Sequence, residues 1–163
     1  MPRFNALMFS TLLVISFTIT LPAGEKAASF KSTPDEVKVF ELTNAERKKK
    51  EVHPLVLSVA LSKLARAHSE NMARQGKMEH KLDDKSPFDR MRDAKYLYLA
   101  GGENIGMGED GITIEMIMEA WMESKDHQKN ILAPEYTEIG VGLAKDKKGD
   151  TYYTQVFAKP RKG

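Results

Sequence analysis

Apolar residues recur every three or four positions in three stretches of the chain, at residues 34–50, 58–76 and 111–124. This spacing is typical of helices that bury one face. Ser32 or Thr33 can cap the first helix, and Gly76 can end the second in a left-handed conformation. A shorter helix is predicted to begin at Ser86-Pro87.

Near the C-terminus the period changes to two. Apolar residues alternate with other residues from Ile139 to Ala144 and again from Tyr152 to Ala158, as they do in strands. The polar, glycine-containing segment 145–150 between them predicts a hairpin. Because the helices precede the strands without regular alternation, the sequence predicts an α+β fold in which helices cover a small antiparallel sheet.

The N-terminal segment has the layout of a secretory signal peptide. Arg3 precedes an apolar run from Ala6 to Thr20, and small residues follow up to Ala23, after which cleavage is expected. The run is shorter than the roughly 20 residues of a spanning helix, so an uncleaved anchor is the weaker alternative. We expect a leader at 1–23, a short linker at 24–33, and a secreted protein, extracellular or periplasmic, with no stable membrane span in its mature form.

Charge limits the possible partners of the protein, and cysteine content limits its possible cross-links. The formal net charge is +2, with acidic and basic residues interspersed, which disfavours nucleic acid as a partner. The run Arg47 to Lys50 is interpreted as a solvated helix end, although Asn44 and Arg47 share a helix face and could instead clamp a loop. Cysteine is absent from the sequence, which excludes disulfides.

Two histidines are candidates for a functional cleft because both lie at the ends of predicted elements. His80 follows the Gly76 helix stop, and His127 follows the third long helix. Gly101-Gly102 is predicted to form a turn that aims Glu103 inward. His68 and Trp121 fall within apolar helical stripes and are predicted to be core residues.

The ordered series of short motifs resembles the CAP superfamily of cysteine-rich secretory, antigen 5 and pathogenesis-related proteins, specifically its cysteine-free bacterial branch. The motifs are Leu42-Thr43-Asn44-Ala45-Glu46-Arg47, Pro54-Leu55, Ala65-Arg66-Ala67-His68, His80, Gly102-Glu103-Asn104-Ile105, Trp121-Met122-Glu123-Ser124, His127-Gln128-Lys129-Asn130-Ile131-Leu132, Ile139-Gly140-Val141-Gly142 and Tyr153-Thr154-Gln155-Val156-Phe157. The resemblance implies one SCP-like domain at 34–160, an α-β-α sandwich with a small central antiparallel sheet flanked by helices.

The resemblance also implies a cleft with two histidines and usually two glutamates. His80, Glu103 and His127 match three of these positions. Ser124 stands where eukaryotic relatives carry the second glutamate, and Glu123 is one residue earlier, about 100° away around a helix. The remaining candidate cleft residues are Asp126, beside His127, and the supporting residues Asn104 and Arg90.

Two imidazoles and one carboxylate can fill three places around a zinc ion and leave a fourth for water. His80, His127 and Glu103 are therefore candidate metal ligands. The alternative is a metal-free cleft in which Glu103 orients a histidine by hydrogen bonding. The sequence contains no HExxH motif, so it offers no dedicated metal-binding motif in support of a metal site.

The function favoured by these residues is a secreted binding module for an unassigned small-molecule, lipid, protein or metal ligand. The first alternative is a metal-dependent hydrolase that uses the same cleft, and the second is a structural cell-envelope protein with a vestigial cleft. A non-enzymatic role is favoured because the sequence has no Gly-x-Ser-x-Gly elbow and no cysteine nucleophile.

Overall fold

The computed structural model describes residues 30–161, so the predicted leader at 1–23 and most of the predicted linker lie outside the described residues. The helices in this part of the chain are α1 (Pro34–Lys49), α2 (Val59–Gln75), α3 (Pro87–Asp93), α4 (Ile114–Glu123) and α5 (Lys125–Leu132). The strands are β1 (Val56–Leu57), β2 (Tyr98–Gly108), β3 (Glu138–Lys145) and β4 (Thr151–Pro160).

The strands form one sheet in the order β1-β3-β4-β2. The predicted hairpin of β3 and β4 is confirmed, and β4 also pairs antiparallel with β2. The short β1 pairs parallel with β3, so the sheet is antiparallel in all but this pair. The predicted α+β class is confirmed.

The helix boundaries follow the local signals of the sequence. Thr33 caps α1 in a capping box with Glu36, and Ser86 caps α3 in the same way with Asp89. Gly76 ends α2 with a φ of 63°, a left-handed conformation that glycine adopts without steric cost.

Alternate residues of β4 face two different helical layers. Tyr153 and Phe157 pack in a cluster with residues of α1, α4 and α5, whereas Val156 and Ala158 pack with Leu61 of α2 and with α3. The sheet therefore lies between two layers of helices, as the predicted α-β-α sandwich requires.

Two sequence expectations differ from the structure. The Gly101-Gly102 segment is not a turn but lies within β2, where Gly101 pairs with Ala158 and Gly102 with Phe157. Arg47 is not part of a solvated helix end: it is fully buried and donates to the carbonyls of His53, Ile131, Ala133 and Tyr136. Arg47 therefore holds the loop after α1 against the end of α5 and the segment that follows it. This is the loop-clamping role that the sequence had left open as the alternative for Asn44 and Arg47.

No helix within residues 30–161 combines the length and the apolar character that crossing a membrane requires.

Candidate functional site

Glu103 is the centre of the candidate site. It lies on β2 with a side chain that is only 2% exposed. Its Oε1 is 2.9 Å from His80 Nδ1, and its Oε2 accepts a 2.6 Å hydrogen bond from Arg90 Nη2. Both oxygens of this buried carboxylate therefore have a partner.

The bond to Glu103 assigns the tautomer of His80. Because a carboxylate oxygen can only accept, the neutral imidazole carries its hydrogen on Nδ1. The other ring nitrogen, Nε2, then has a free lone pair. The His80 side chain is half exposed, so this lone pair is available to a ligand.

Arg90 was named as a supporting residue of the cleft, and its guanidinium contacts Glu103 directly. The sequence does not identify Glu103 as its partner, because Arg90 is one of many charged residues in the segment 81–100.

His68 is a buried residue of α2, as predicted. Its Nε2 donates to the Glu79 carbonyl at 3.1 Å and lies 3.9 Å from Glu103 Oε1. Burial lowers the pKa of His68, while the negative charge of Glu103 opposes that shift. Its Nδ1 is buried without a hydrogen-bond partner, so the neutral ring is the favoured form.

His127 reaches the site from the opposite layer. It lies on α5, half-buried, with its ring centroid 6.4 Å from that of Trp121. Burial lowers the pKa of His127, and the charge of a protonated His80 lowers it further, whereas Asp126 opposes both effects. The two histidines therefore lie within electrostatic range of each other.

Buried amide side chains join the two halves of the site. Asn104 of β2 donates to the His127 carbonyl at 3.1 Å, and Asn130 of α5 donates to Asn104 Oδ1 at 2.9 Å and to the Glu103 carbonyl at 3.2 Å. Asn104 thus holds α5 against β2. Sequence reasoning missed Asn130, although its spacing of three from His127 on a helix places both residues on neighbouring parts of one face.

Gly102 leaves the space that this arrangement needs. A Cβ atom at this position would lie 2.9 Å from Asn130 Oδ1 and 2.7 Å from the Tyr136 hydroxyl. Gly102 thus permits the close approach of α5, which is a different role from the predicted turn.

The remaining candidate residues lie where α4 meets α5. Glu123 and Asp126 are exposed, and Ser124 occupies the junction at which α4 ends and α5 begins. Within residues 30–161, no hydrogen bond joins the Ser124 hydroxyl to His127. The pairing that a serine nucleophile would need is not formed.

The predicted set of metal ligands, His80, Glu103 and His127, stays a prediction. In the described part of the chain, no group of three or more histidine, aspartate or glutamate side chains is already arranged to hold a metal ion. Glu103 lies behind His80 as its hydrogen-bond partner. A carboxylate behind an imidazole is a common arrangement at sites that bind a metal through histidine.

Comparisons with known proteins agree with this fold. YkwD, an uncharacterized protein of Bacillus subtilis (strain 168), is 41% identical over 140 residues, which are 82% of this chain and 52% of YkwD. The chain therefore spans about half the length of that relative.

Two solved structures share the architecture. An extracellular protein containing an SCP domain from Bacillus anthracis is 26% identical with a TM-score of 0.68, over 80% of this chain and 45% of that one. An outer surface protein from Borrelia burgdorferi has a TM-score of 0.72 at 19% identity, over 80% of this chain and 97% of that one. The model of the cysteine-rich secretory protein family, CAP, matches residues 40–157, and the chain belongs to this family as a cysteine-free member.

Proposed function

We propose that this protein is a secreted binding module that holds its ligand between His80 and His127. One observation carries the proposal. The bond between Glu103 Oε1 and His80 Nδ1 leaves His80 Nε2 as a free lone pair on a half-exposed ring. A buried carboxylate that orients an outward-facing imidazole in this way is costly to build, because its charge must be compensated inside the fold.

The chemistry of the cleft favours a ligand that accepts nitrogen lone pairs. Imidazole nitrogens suit borderline transition-metal cations such as Zn²⁺, Cu²⁺ and Ni²⁺ better than oxygen-seeking Ca²⁺ or Mg²⁺. Burial and the neighbouring charge lower the pKa of His127, so its imidazole is neutral at physiological pH. A neutral ring is the form that binds a metal ion.

Two further observations support secretion. The apolar leader at 6–20 has the composition of a signal peptide, and the similar protein from Bacillus anthracis is described as extracellular. The hydroxyl of Ser124 makes no hydrogen bond to His127 within residues 30–161, so covalent catalysis gains no support. Hydrolysis would depend on a metal-bound water molecule and is therefore an outcome to test after binding.

Zinc is the probe that tests this proposal. We expect isothermal titration calorimetry with zinc chloride at pH 7.5 to give about one ion per chain, and His80→Ala and His127→Ala each to abolish the heat of binding. Near pH 5 binding should also be lost, because protonated imidazoles cannot ligate a metal.

His53→Ala is the matched control, since His53 is an exposed histidine on the loop after α1. It should bind zinc as the unchanged protein does. Equal loss in all three variants would point to unspecific binding by surface histidines. Absence of binding by the unchanged protein would contradict a metal ligand and direct the search to lipid or protein ligands.

A further inference from the structure

Arg90 connects three parts of the cleft with one guanidinium. Nη2 donates to Glu103 Oε2 on β2 at 2.6 Å, and Nη1 donates to the carbonyls of His80 at 3.1 Å and Lys85 at 2.9 Å. The Arg90 side chain is 13% exposed and that of Glu103 is 2% exposed, so the bond between them is largely protected from water, whereas the two bonds to carbonyls lie at the surface. A guanidinium can make this set of bonds because its donors are fixed in one plane.

The loop that carries His80 is held by side chains on two sides. Asp83 and Asp84 both have positive φ angles, 50° and 58°, in the tight turn that closes the bridge between Leu82 and Lys85. Aspartate adopts such angles more readily than most non-glycine residues, as is usual in tight turns. Asn71 and Gln75 of α2 donate to the Asp83 carboxylate on one side of the loop. Arg90 holds the other side through the His80 and Lys85 carbonyls.

Arg90 also decides which way Glu103 is turned. The Glu103 carboxyl group is buried, and its two oxygens are divided between His80 and Arg90. Loss of the guanidinium would leave one oxygen without a donor at a site that water barely reaches. Such a group reorients toward any available solvent or donor, because an unpaired buried charge is strongly unfavourable.

We propose that Arg90 is a positioning residue of the cleft, which fixes Glu103 behind His80 and fixes the backbone from which His80 projects. It thereby holds the His80 imidazole as the Nδ1–H tautomer with Nε2 directed at the ligand. The role of Arg90 in binding rests on the proposed function, whereas its effect on the His80 ring does not.

The test compares Arg90→Met with Arg92→Met. Arg92 lies on the same helix, is largely exposed, and among residues 30–161 forms ion pairs with Asp89 and Asp93. In ¹⁵N NMR spectra at pH 8, where imidazoles are neutral, we expect His80 to show the Nδ1–H tautomer in the unchanged protein and in Arg92→Met. Arg90→Met should shift the two ring nitrogens toward the averaged values of an unrestrained imidazole. An unchanged His80 tautomer in folded Arg90→Met would overturn the proposal.

Zinc titration of the same variants supplies a second readout. Removal of a positive charge near the cleft would by itself strengthen the binding of a cation. Lost positioning should weaken it, by about 10-fold or more. Weaker binding in Arg90→Met therefore supports positioning, and stronger binding contradicts it.

Arg90→Lys keeps the charge but not the planar fork, and it serves as the comparison if Arg90→Met does not fold. We expect it to show the same change of tautomer as Arg90→Met, and full recovery by lysine would contradict the need for the fork. If the unchanged protein binds no zinc, the proposed metal ligand fails, but the tautomer comparison still decides the role of Arg90.

Discussion

The buried imidazole of His68 and the half-buried imidazole of His127 make the stability of the fold sensitive to acid. Burial is the largest cause of the lowered pKa at each residue. At His68, Arg90 and His80 add to the shift, while Glu103 and the Glu79 carbonyl oppose it. As pH falls below the ordinary value of about 6.5, the unfolded chain takes up protons at these positions before the folded chain does. The free energy of unfolding must therefore fall with pH in this range.

We expect urea unfolding at pH 7.5 and pH 5.5 to give a lower free energy of unfolding at the lower pH. His68→Gln and His127→Gln should each reduce the difference between the two pH values, because each removes one group that binds protons more readily in the unfolded state. His53→Gln, on an exposed side chain, is the control for the general effect of removing a histidine. If the change in unfolding free energy between pH 7.5 and pH 5.5 is the same in His68→Gln and His127→Gln as in the unchanged protein, other groups cause the acid sensitivity.

At the scale of elements, the contact between α2 and β3 depends on two glycines. A Cβ atom on Gly140 would lie 2.1 Å from the Leu61 carbonyl carbon, and one on Gly142 would lie 2.0 Å from the Arg66 backbone nitrogen. These neighbours are helix backbone, which cannot move aside as a flexible side chain can. The sequence shows the glycines within an alternating strand but not the helix that packs on them.

Gly142→Ala is expected to lower the free energy of unfolding by at least about 3 kcal/mol, because α2 would have to move away from the sheet. Gly101→Ala is the matched control in β2, where the nearest atoms to a new Cβ are side-chain atoms of Tyr98, at 3.3 Å. Its cost should be clearly smaller. If urea unfolding gives equal free energies for Gly142→Ala and Gly101→Ala, then α2 does not pack directly against β3.

The elements that sequence predicted well are those with local signals. α2 and α4 each combine an apolar stripe with a glycine stop or an N-terminal cap, and α1 has a capping box although its buried face is mostly polar; these signals act within a few residues. β2 was missed because Gly101, Gly102, Gly106 and Gly108 are residues typical of turns. In the fold these glycines give room to side chains of other elements, among them Trp121 and Tyr136. Such long-range packing leaves no local pattern.

The residues of the candidate site also fall into two groups, those with a signal in the sequence and those whose role depends on tertiary packing. His80, Glu103 and His127 were found by motif, and the core positions of His68 and Trp121 were found by helical spacing. Arg90 and Asn130 were not recognised as direct contacts of Glu103, since their roles depend on where α3 and α5 meet β2. Tertiary placement, and not residue type, decides their function.

At the scale of the whole molecule, a chain of buried polar groups runs along one face of the sheet from α1 to α5. Thr43 of α1 donates to the Val39 carbonyl and accepts from Gln155 Nε2 at 2.8 Å. Asn104 donates to Gln155 Oε1 at 3.1 Å and to the His127 carbonyl at 3.1 Å. Thr43, Asn104 and Gln155 are fully buried, so each broken link leaves a polar group without water as a substitute. The position of His127 is thereby linked to α1.

A double-mutant cycle measures this link. Thr43→Val preserves shape but removes the acceptor of Gln155, and we expect it to lower the free energy of unfolding by about 1–3 kcal/mol. Asn104→Ala should cost at least as much, because it leaves three partners unpaired. Thr43 and Asn104 share no direct bond, but both bond to Gln155. If Gln155 couples them, the loss of unfolding free energy in the double mutant should differ from the sum of the two single losses by about 0.5 kcal/mol or more. Lys48→Met, an exposed change on α1, should add to Asn104→Ala without coupling. Additive losses for Thr43→Val and Asn104→Ala would mean that α1 and the cleft are stabilised independently.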